Sequence, residues 1–161
     1  MLTDAEAAWL ACAIDSEGTI ALQVYHQRGK ETPRVVAYVN VVNTDPRYVD
    51  HVEALIRKVA SGCHRGVRTR TKPGHLPVLF AAVSNELRVR PVLESVAPWL
   101  IIKRDRAEAL LTYFSARAEI RSQWRGRRGS APYGDELQRL YEDFYGGDAV
   151  VNPRRRIGHG N

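Results

Sequence analysis

Two acidic side chains at the end of a predicted helix are the first candidates for chemistry in this sequence. Thr3 and Glu6 have capping-box spacing, which predicts that a helix starts there and runs towards Asp15 and Glu17. A helix carboxyl end carries partial negative charge, so acids are disfavoured there unless a cation binds them. Carboxylates and carbonyls are the hard oxygen ligands that Mg²⁺ prefers. The residues alone allow either a metal site or a solvated turn ending at Gly18.

The same predicted helix has two distinct faces. Its apolar stripe, at helical spacing, consists of Ala7, Leu10, Ala11 and Ile14. Its second face carries only small side chains, namely Ala8, Cys12 and Ser16. A column of small side chains lets another helix approach closely, so we expect a core on one side of this helix and a second helix on the other.

The composition favours a polyanionic partner. The chain has 161 residues, enough for one domain, with a formal net charge of +6 and a pI of about 9.6.

Its two cysteines are too few for a disulfide framework or a zinc site, which predicts a reducing compartment. No apolar run approaches the ~20 residues of a membrane span, and the N-terminus lacks the basic start of a signal peptide. We therefore expect a soluble intracellular protein of the cytoplasm, nucleoid or an organelle matrix.

Periodicity along the rest of the chain predicts alternating pairs of strands and helices. The predicted strands are Thr19–Arg28, Arg34–Asn43, Cys63–Lys72 and Val78–Ser84, and the later helices run from Pro46 to Gly62, from Asn85 to Pro98, from Arg104 to Ser122 and from Asp135 to Tyr145. The elements up to residue 122 follow the order α-β-β-α-β-β-α-α, which predicts an α+β core with an α-β-β-α-β-β-α arrangement over residues 1–122. Residues 123–161 form an extension of the same domain, made of a basic loop, a short helix and a flexible tail.

The segment from Leu10 to Gly18 resembles the motif of the LAGLIDADG homing endonucleases. The residues that match the motif directly are Leu10, Ala11, Ile14, Asp15 and Gly18. Glu17 conservatively replaces the second acid of the motif. The order of elements over residues 3–121 is also that family's fold, so the resemblance implies a curved four-stranded antiparallel sheet that binds DNA, with helices on its other face.

The resemblance implies a function for the whole chain. Family members cut long, near-palindromic duplex targets at specific sites by divalent-metal-dependent phosphodiester hydrolysis of both strands, which leaves 3′ overhangs and serves intron homing. A chain with a single motif is expected to work as a homodimer through its first helix. The expected contact residues are Ala8, Cys12, Asp15 and Ser16.

The resemblance also implies roles for individual residues. Glu17 corresponds to the metal ligand, and the Ser16 carbonyl would complete the coordination of Mg²⁺ or Mn²⁺. Lys103, after the apolar connector, corresponds to a catalytic cation, while Asn43 and Arg47 correspond to polar groups around the metal. Taken alone, Lys103 and Arg47 fit surface charges at helix ends better than functional groups.

The outward positions of the predicted strands supply the expected DNA contacts. A two-stranded antiparallel ribbon fits the major groove, where outward side chains meet base edges. The nominated residues are Gln23, Tyr25, Gln27, Arg28, Arg34, Tyr38, Asn40, Arg65, Arg68, Arg70 and Lys72. The register of the strand that carries Arg65 stays open by one residue, and such a slip would exchange its two faces.

Two other functions fit the same fold. The chain could be a DNA-binding regulator that has lost catalysis, or an RNA-splicing maturase. A decayed binder is expected to lose the second acid of the motif, whereas this chain keeps Glu17 and Lys103. Maturase activity leaves no residue signature in the sequence.

Overall fold

The computed structural model describes residues 1–25, 34–68, 76–124 and 135–146, with only the backbone described at positions 24, 25, 34 and 146. Four nominated DNA contacts, Gln27, Arg28, Arg70 and Lys72, lie outside these ranges. The basic loop and the tail predicted beyond residue 124 also lie outside them, and only the helix between the two is described.

The described residues form an α+β fold, as predicted. The strands are β1 (Gly18–Tyr25), β2 (Arg34–Asn43), β3 (His64–Arg68) and β4 (Val78–Ser84). The helices are α1 (Asp4–Glu17), α2 (Pro46–Val59), α3 (Glu86–Val96), α4 (Arg104–Gln123) and α5 (Asp135–Gly146), with a short 3-10 helix at Ala97–Trp99.

The four strands make one antiparallel sheet in the order β1-β2-β4-β3. Gly18 pairs with Val41, so the start of β1 and the end of β2 lie at the same end of the sheet. The carboxyl end of α1 leads directly into β1 and lies at that end too. The end of α1 and the end of β2, which are far apart in the sequence, therefore lie at the same end of the sheet.

One face of the sheet forms the core, because the strand residues that point to it are apolar and buried. Helices α1 to α4 all contact the strands. The buried strand residues on this face are Ile20, Leu22, Val35, Ala37, Val39, Val41, Ala81 and Val83. The alternate residues lie on the opposite face, called here the open face.

Both ends of α1 follow from local sequence. Thr3 Oγ1 accepts a hydrogen bond from the Glu6 N–H at 3.3 Å, and the Glu6 carboxylate accepts one from the Thr3 N–H at 3.0 Å. At the other end a Cβ on Gly18 would lie 2.6 Å from the Ile14 carbonyl oxygen. Only glycine allows the chain to turn from α1 into β1 without a loop.

Two helices are shorter than predicted. Helix α2 ends at Val59 rather than at Gly62, and α3 ends at Val96 rather than at Pro98. The buried positions of α3 follow the i, i+3, i+4, i+7 pattern from Val89. Leu87 lies off that stripe and is 86% exposed. In α4, Tyr113 is fully buried.

Helix α5 packs with its apolar face on its own chain. Leu137 and Phe144 are buried, and the helix contacts α4. The Tyr145 hydroxyl accepts a hydrogen bond from the Leu22 N–H at 3.1 Å and donates to the Leu22 carbonyl. Since β1 is an edge strand, this contact blocks backbone groups that another strand could pair with.

Across the described ranges, none of the helices has the length and apolar character needed to span a membrane.

Candidate active site and DNA-facing surface

The Asp15 carboxylate caps the segment that leads into α4. It accepts hydrogen bonds from the backbone N–H groups of Ile101 at 2.7 Å, Ile102 at 3.1 Å and Lys103 at 2.9 Å. The side chain of Lys103, the N-cap residue of α4, makes no capping hydrogen bond. Asp15 therefore satisfies backbone donors that would otherwise lack partners. Burial works to raise the pKa of Asp15, but the three N–H donors and the nearby Lys103 charge outweigh it and lower that pKa.

Lys103 supplies the cation that α1 lacks. Helix α1 has no basic residue in its last turn, and the Lys103 ammonium donates to the Ile14 carbonyl at 2.9 Å and to the Asp15 carbonyl. A cation at this end offsets the partial negative charge of the helix. Burial lowers the pKa of Lys103, while the negative charges of Asp15 and Glu17 oppose that shift.

Glu17 is the last residue of α1 and its side chain is exposed. Within the described residues it makes no hydrogen bond or ion pair, so its carboxylate oxygens keep all their acceptor sites. The Ser16 hydroxyl instead donates to the Cys12 carbonyl of its own helix at 2.9 Å. The two acids of the motif therefore differ. The Asp15 carboxylate accepts hydrogen bonds from backbone N–H groups, whereas the Glu17 carboxylate is available to bind an external cation.

Asn43 and Arg47 lie at the same end of the sheet, at the junction of β2 and α2. Asn43 Oδ1 accepts a hydrogen bond from the Asp45 N–H at 2.9 Å, which leaves its amide N–H groups for other partners. The Arg47 side chain is 89% exposed and pairs with Asp45 at 2.8 Å. Within the described part of the chain, no hydrogen bond or ion pair joins either residue to Glu17 or Lys103.

The donor set of one chain fits a divalent cation only in part. No group of three or more His, Cys, Asp or Glu side chains able to hold a metal occurs among the described residues. Glu17 and the helix-end carbonyls are hard oxygen donors of the kind that Mg²⁺ takes. Because Mg²⁺ is also commonly bound through one or two carboxylates plus substrate phosphates, this set suits a cation shared with a phosphate ligand.

The open face brings together several nominated DNA contacts. Gln23 Nε2 donates to the Tyr38 hydroxyl across β1 and β2 at 3.3 Å. Asn40, two residues after Tyr38 on β2, is only 8% exposed, and its Oδ1 has no partner among the described residues. Tyr25 and Arg34 pair at the far end of the same strands, where only their backbone is described.

The register resolves the faces of β3. Arg65 pairs with Ala81, a core residue, and its guanidinium forms a 2.6 Å ion pair with Asp50 of α2. Arg65 therefore lies on the helix-covered face, and we do not include it in the DNA-facing surface. Arg68 has the opposite parity and lies exposed on the open face.

Two further residues, His64 and Phe80, lie on the open face and were not predicted from the sequence. Both share the parity of Arg68 and Ala82, and their rings lie 5.4 Å apart. Strict alternation along Val78–Ser84 would have found Phe80. It was missed because the search for DNA contacts considered only polar side chains.

The small-residue face of α1 is accessible. Cys12 and Ser16 are exposed and Ala8 is half-buried. Beyond them, Ile101 is 85% exposed and Ile102 is 76% exposed, because their backbone N–H groups point to Asp15 while their side chains point outward. Asp15 itself, which was expected at the helix contact, is held by its own chain.

Sequence comparisons find no relative of this chain: no protein-family model matches it, and no curated protein matches it.

Comparison of structures does find similar folds. The homing endonuclease I-CvuI, solved in complex with its target, superposes with a TM-score of 0.66 at 18% identity, over 95% of this chain and 87% of that one. The intron-encoded homing endonuclease I-CeuI, complexed with DNA, gives 0.55 at 16% identity, over 100% and 72%. The LAGLIDADG homing endonuclease I-GzeII, in complex with its DNA target, gives 0.61 at 10% identity, over 96% and 53%. The chain therefore has the fold of the LAGLIDADG homing endonucleases.

Proposed function

We propose that this chain is a single-motif LAGLIDADG homing endonuclease that works as a homodimer. It cuts both strands of a long, near-palindromic DNA target by divalent-metal-dependent hydrolysis and leaves 3′ overhangs. Residues 1–122 are its catalytic core, and α5 is an extension of the same domain that protects the edge of β1.

One observation carries the proposal: the reciprocal capping of Asp15 and Lys103 beside an unpaired Glu17. The contact holds the Lys103 ammonium at the end of α1, where Glu17 has a free carboxylate. The negative charge of Glu17 acts to raise the pKa of Lys103. Such a pairing of a cation with a metal-binding carboxylate suits a phosphate substrate. A decayed DNA binder has no need to keep both groups.

Glu17 and the Ser16 carbonyl would hold the divalent cation. When bound, that cation supplies polarisation of the phosphate and a lower pKa for an attacking water. Within the described residues, Lys103 uses two of its three ammonium donors on the carbonyls of Ile14 and Asp15. The third can donate to a phosphate oxygen and stabilise negative charge as it develops.

Asn43 and Arg47 would position phosphate or water at the edge of this site. The free amide N–H groups of Asn43 are suited to orient a water. Arg47 presents a planar set of donors that matches a phosphate, and it can exchange its exposed pairing with Asp45 for that ligand at little cost.

A second copy of the chain would pack against the small-residue face of α1. The Ser16 hydroxyl is folded back on its own helix, so Ala8, Cys12 and Ser16 offer a column without bulk or unsatisfied donors. Ile101 and Ile102, whose backbone N–H groups donate to Asp15 of the same helix, also expose their apolar side chains. I-GzeII matches this chain over only about half of its own length, which leaves room there for a second unit of similar size.

The open face would lie in the major groove of the DNA. Its polar members on β1 and β2 suit adenine, and its arginines suit guanine. The proposed contact residues are Gln23, Tyr25, Gln27, Arg28, Arg34, Tyr38, Asn40, Arg68, Arg70 and Lys72.

The experiment is a cleavage assay with the full chain. The probes are a plasmid library of randomised inserts and the duplex made by joining the sequences that flank the reading frame. We expect double-strand cuts with 3′ overhangs in Mg²⁺ or Mn²⁺ and none in EDTA. Selective binding without any cut in either metal would contradict the proposal and favour a DNA-binding regulator. Selective binding of structured RNA alone would favour a maturase.

A further inference from the structure

Phe80 occupies a gap on the open face that a glycine leaves. Phe80 pairs directly with Gly66 of β3, and a Cβ on Gly66 would lie 2.4 Å from the end of the Phe80 ring. The ring therefore leans across β3, where only glycine leaves it room. His64 and Arg68, two residues to either side of Gly66, flank it.

Arg68 lies over the face of that ring. Its guanidinium carbon is 5.0 Å from the Phe80 centroid, a favourable cation–π distance. Within the described residues Arg68 forms no ion pair with an acid, in contrast to Arg65, which is paired with Asp50. The ring restricts the plane of the guanidinium, while the N–H donors at its edge remain available.

We infer that Phe80 is a specificity-determining residue that orients Arg68 to read a guanine, with Gly66 as the residue that admits its ring. The inference rests on the proposed function, since it requires the open face to lie in the major groove. A guanidinium held in one plane presents two parallel donors, which match the O6 and N7 acceptors of guanine. Phe80 thus acts through Arg68 and is a positioning residue.

A phosphate is the other acceptor that a guanidinium fork fits, and it predicts a different signature. A base contact gives a preference at one base pair, whereas a phosphate contact weakens binding on all sequences and reduces the salt dependence. The parity of Arg68 favours the base, because its side chain leaves the same face of the sheet as Tyr38 and Asn40.

The test is selection of binding sites from a randomised duplex library, with the wild-type full chain and a set of variants. Arg68→Ala removes the reader, Phe80→Ala removes the ring and Gly66→Ala displaces the ring without changing either. Phe80→Tyr keeps the ring. Arg65→Ala is the matched control, since it removes an arginine of the same strand from the opposite face.

We expect Arg68→Ala, Phe80→Ala and Gly66→Ala to lose the same G·C preference by roughly 10- to 100-fold, with unchanged preferences elsewhere. Phe80→Tyr should keep the preference, which also separates positioning from a folding defect. Arg65→Ala should leave the selected sequence unchanged.

Three results would overturn the inference. Loss of the G·C preference in Arg68→Ala but not in Phe80→Ala would remove Phe80 from its role. Uniform weakening with a reduced salt slope would assign Arg68 to a phosphate. If the wild type enriches no sequence, the proposed function fails and the inference fails with it, whereas the first two results leave the proposed function intact.

Discussion

Asp15 and Lys103 cap each other's helices. The backbone N–H of Lys103 donates to Asp15 at 2.9 Å, and the Lys103 ammonium donates back to the last carbonyls of α1. One contact thus satisfies the start of α4 and the end of α1. It also fixes where the proposed catalytic lysine lies relative to Glu17.

Replacing Asp15 with Asn should destabilise the fold. Asn keeps one acceptor oxygen, but its NH₂ group cannot accept from Ile101, Ile102 or Lys103, so some of these N–H groups lose a charged acceptor. We expect the free energy of unfolding to fall by about 1–3 kcal/mol in urea titrations at neutral pH. Glu17→Gln is the control and should unfold like the wild type, because Glu17 is exposed and unpaired.

The effect of Asp15→Asn should depend on pH in one direction. A carboxylate with a lowered folded pKa stabilises the protein above its unfolded pKa, and this contribution is lost as pH falls through the folded pKa. The difference in stability between wild type and variant should therefore be largest near neutrality and should shrink on acidification. A difference that grew as the pH was lowered would contradict the assignment of Asp15 as a charged cap.

Replacing Lys103 with Met should separate catalysis from binding. The variant loses the ammonium that we propose stabilises charge on the phosphate, so we expect the single-turnover cleavage rate to fall by roughly 10²- to 10³-fold. DNA affinity should change little. Lys58→Met removes a lysine that pairs with Glu6 away from the site, and its cleavage rate should match the wild type. Equal rates for Lys103→Met and wild type would exclude Lys103 from catalysis.

Cys12 offers a direct probe of the proposed dimer. Across a two-fold axis through the small-residue face of α1, two exposed Cys12 thiols would lie close together. A short thiol-specific cross-linker should therefore give a covalent dimer on a denaturing gel. Cys63 should not react, because burial and the charge of Glu53 raise its pKa to about 11 and keep it protonated at pH 8.

The matched variants distinguish this contact from random cross-linking. Cys12→Ser should abolish the covalent dimer and Cys63→Ser should preserve it. Cys12→Trp should convert the protein to monomers in sedimentation, since the column then carries bulk. A wild type that sediments as a monomer at all concentrations would rule out the two-fold arrangement.

Gly18 should not tolerate alanine. Its Cβ would lie 2.6 Å from the Ile14 carbonyl oxygen and 2.7 Å from the Ile14 Cα, and neither backbone atom can move without unwinding α1. We expect a loss of roughly 1–3 kcal/mol in the free energy of unfolding. At Gly62 the nearest atom lies 3.7 Å away, on the flexible Arg88 side chain, so Gly62→Ala should be nearly neutral.

Much of the fold follows from local patterns in the sequence. Alternation predicted the bounds of β2 and β4, and the capping box at Thr3 predicted the start of α1. These signals act over a few residues, through side-chain parity and backbone donors, so they can be recognised without knowledge of the tertiary structure. Leu87 shows the limit: a leucine near a helix start counts as core only if it lies on the buried stripe.

The contacts that define the candidate site could not be predicted from the sequence. Asp15 and Lys103 are 88 residues apart, and no local pattern indicates that one carboxylate would cap the other's helix. The face of Arg65 depended on a register that the sequence left open by one residue. Its ion pair with Asp50 depends on how α2 packs on the sheet, which no local pattern in the sequence indicates.

We propose that Glu17 binds the metal required for DNA cleavage, and Glu17→Gln removes this ligand. The measurement is cleavage of the selected target at saturating protein and Mg²⁺, alongside binding of the same duplex in Ca²⁺. We predict unchanged binding and a cleavage rate lower by roughly 10³-fold or more. Cleavage by Glu17→Gln at the wild-type rate would show that Glu17 does not bind the catalytic metal.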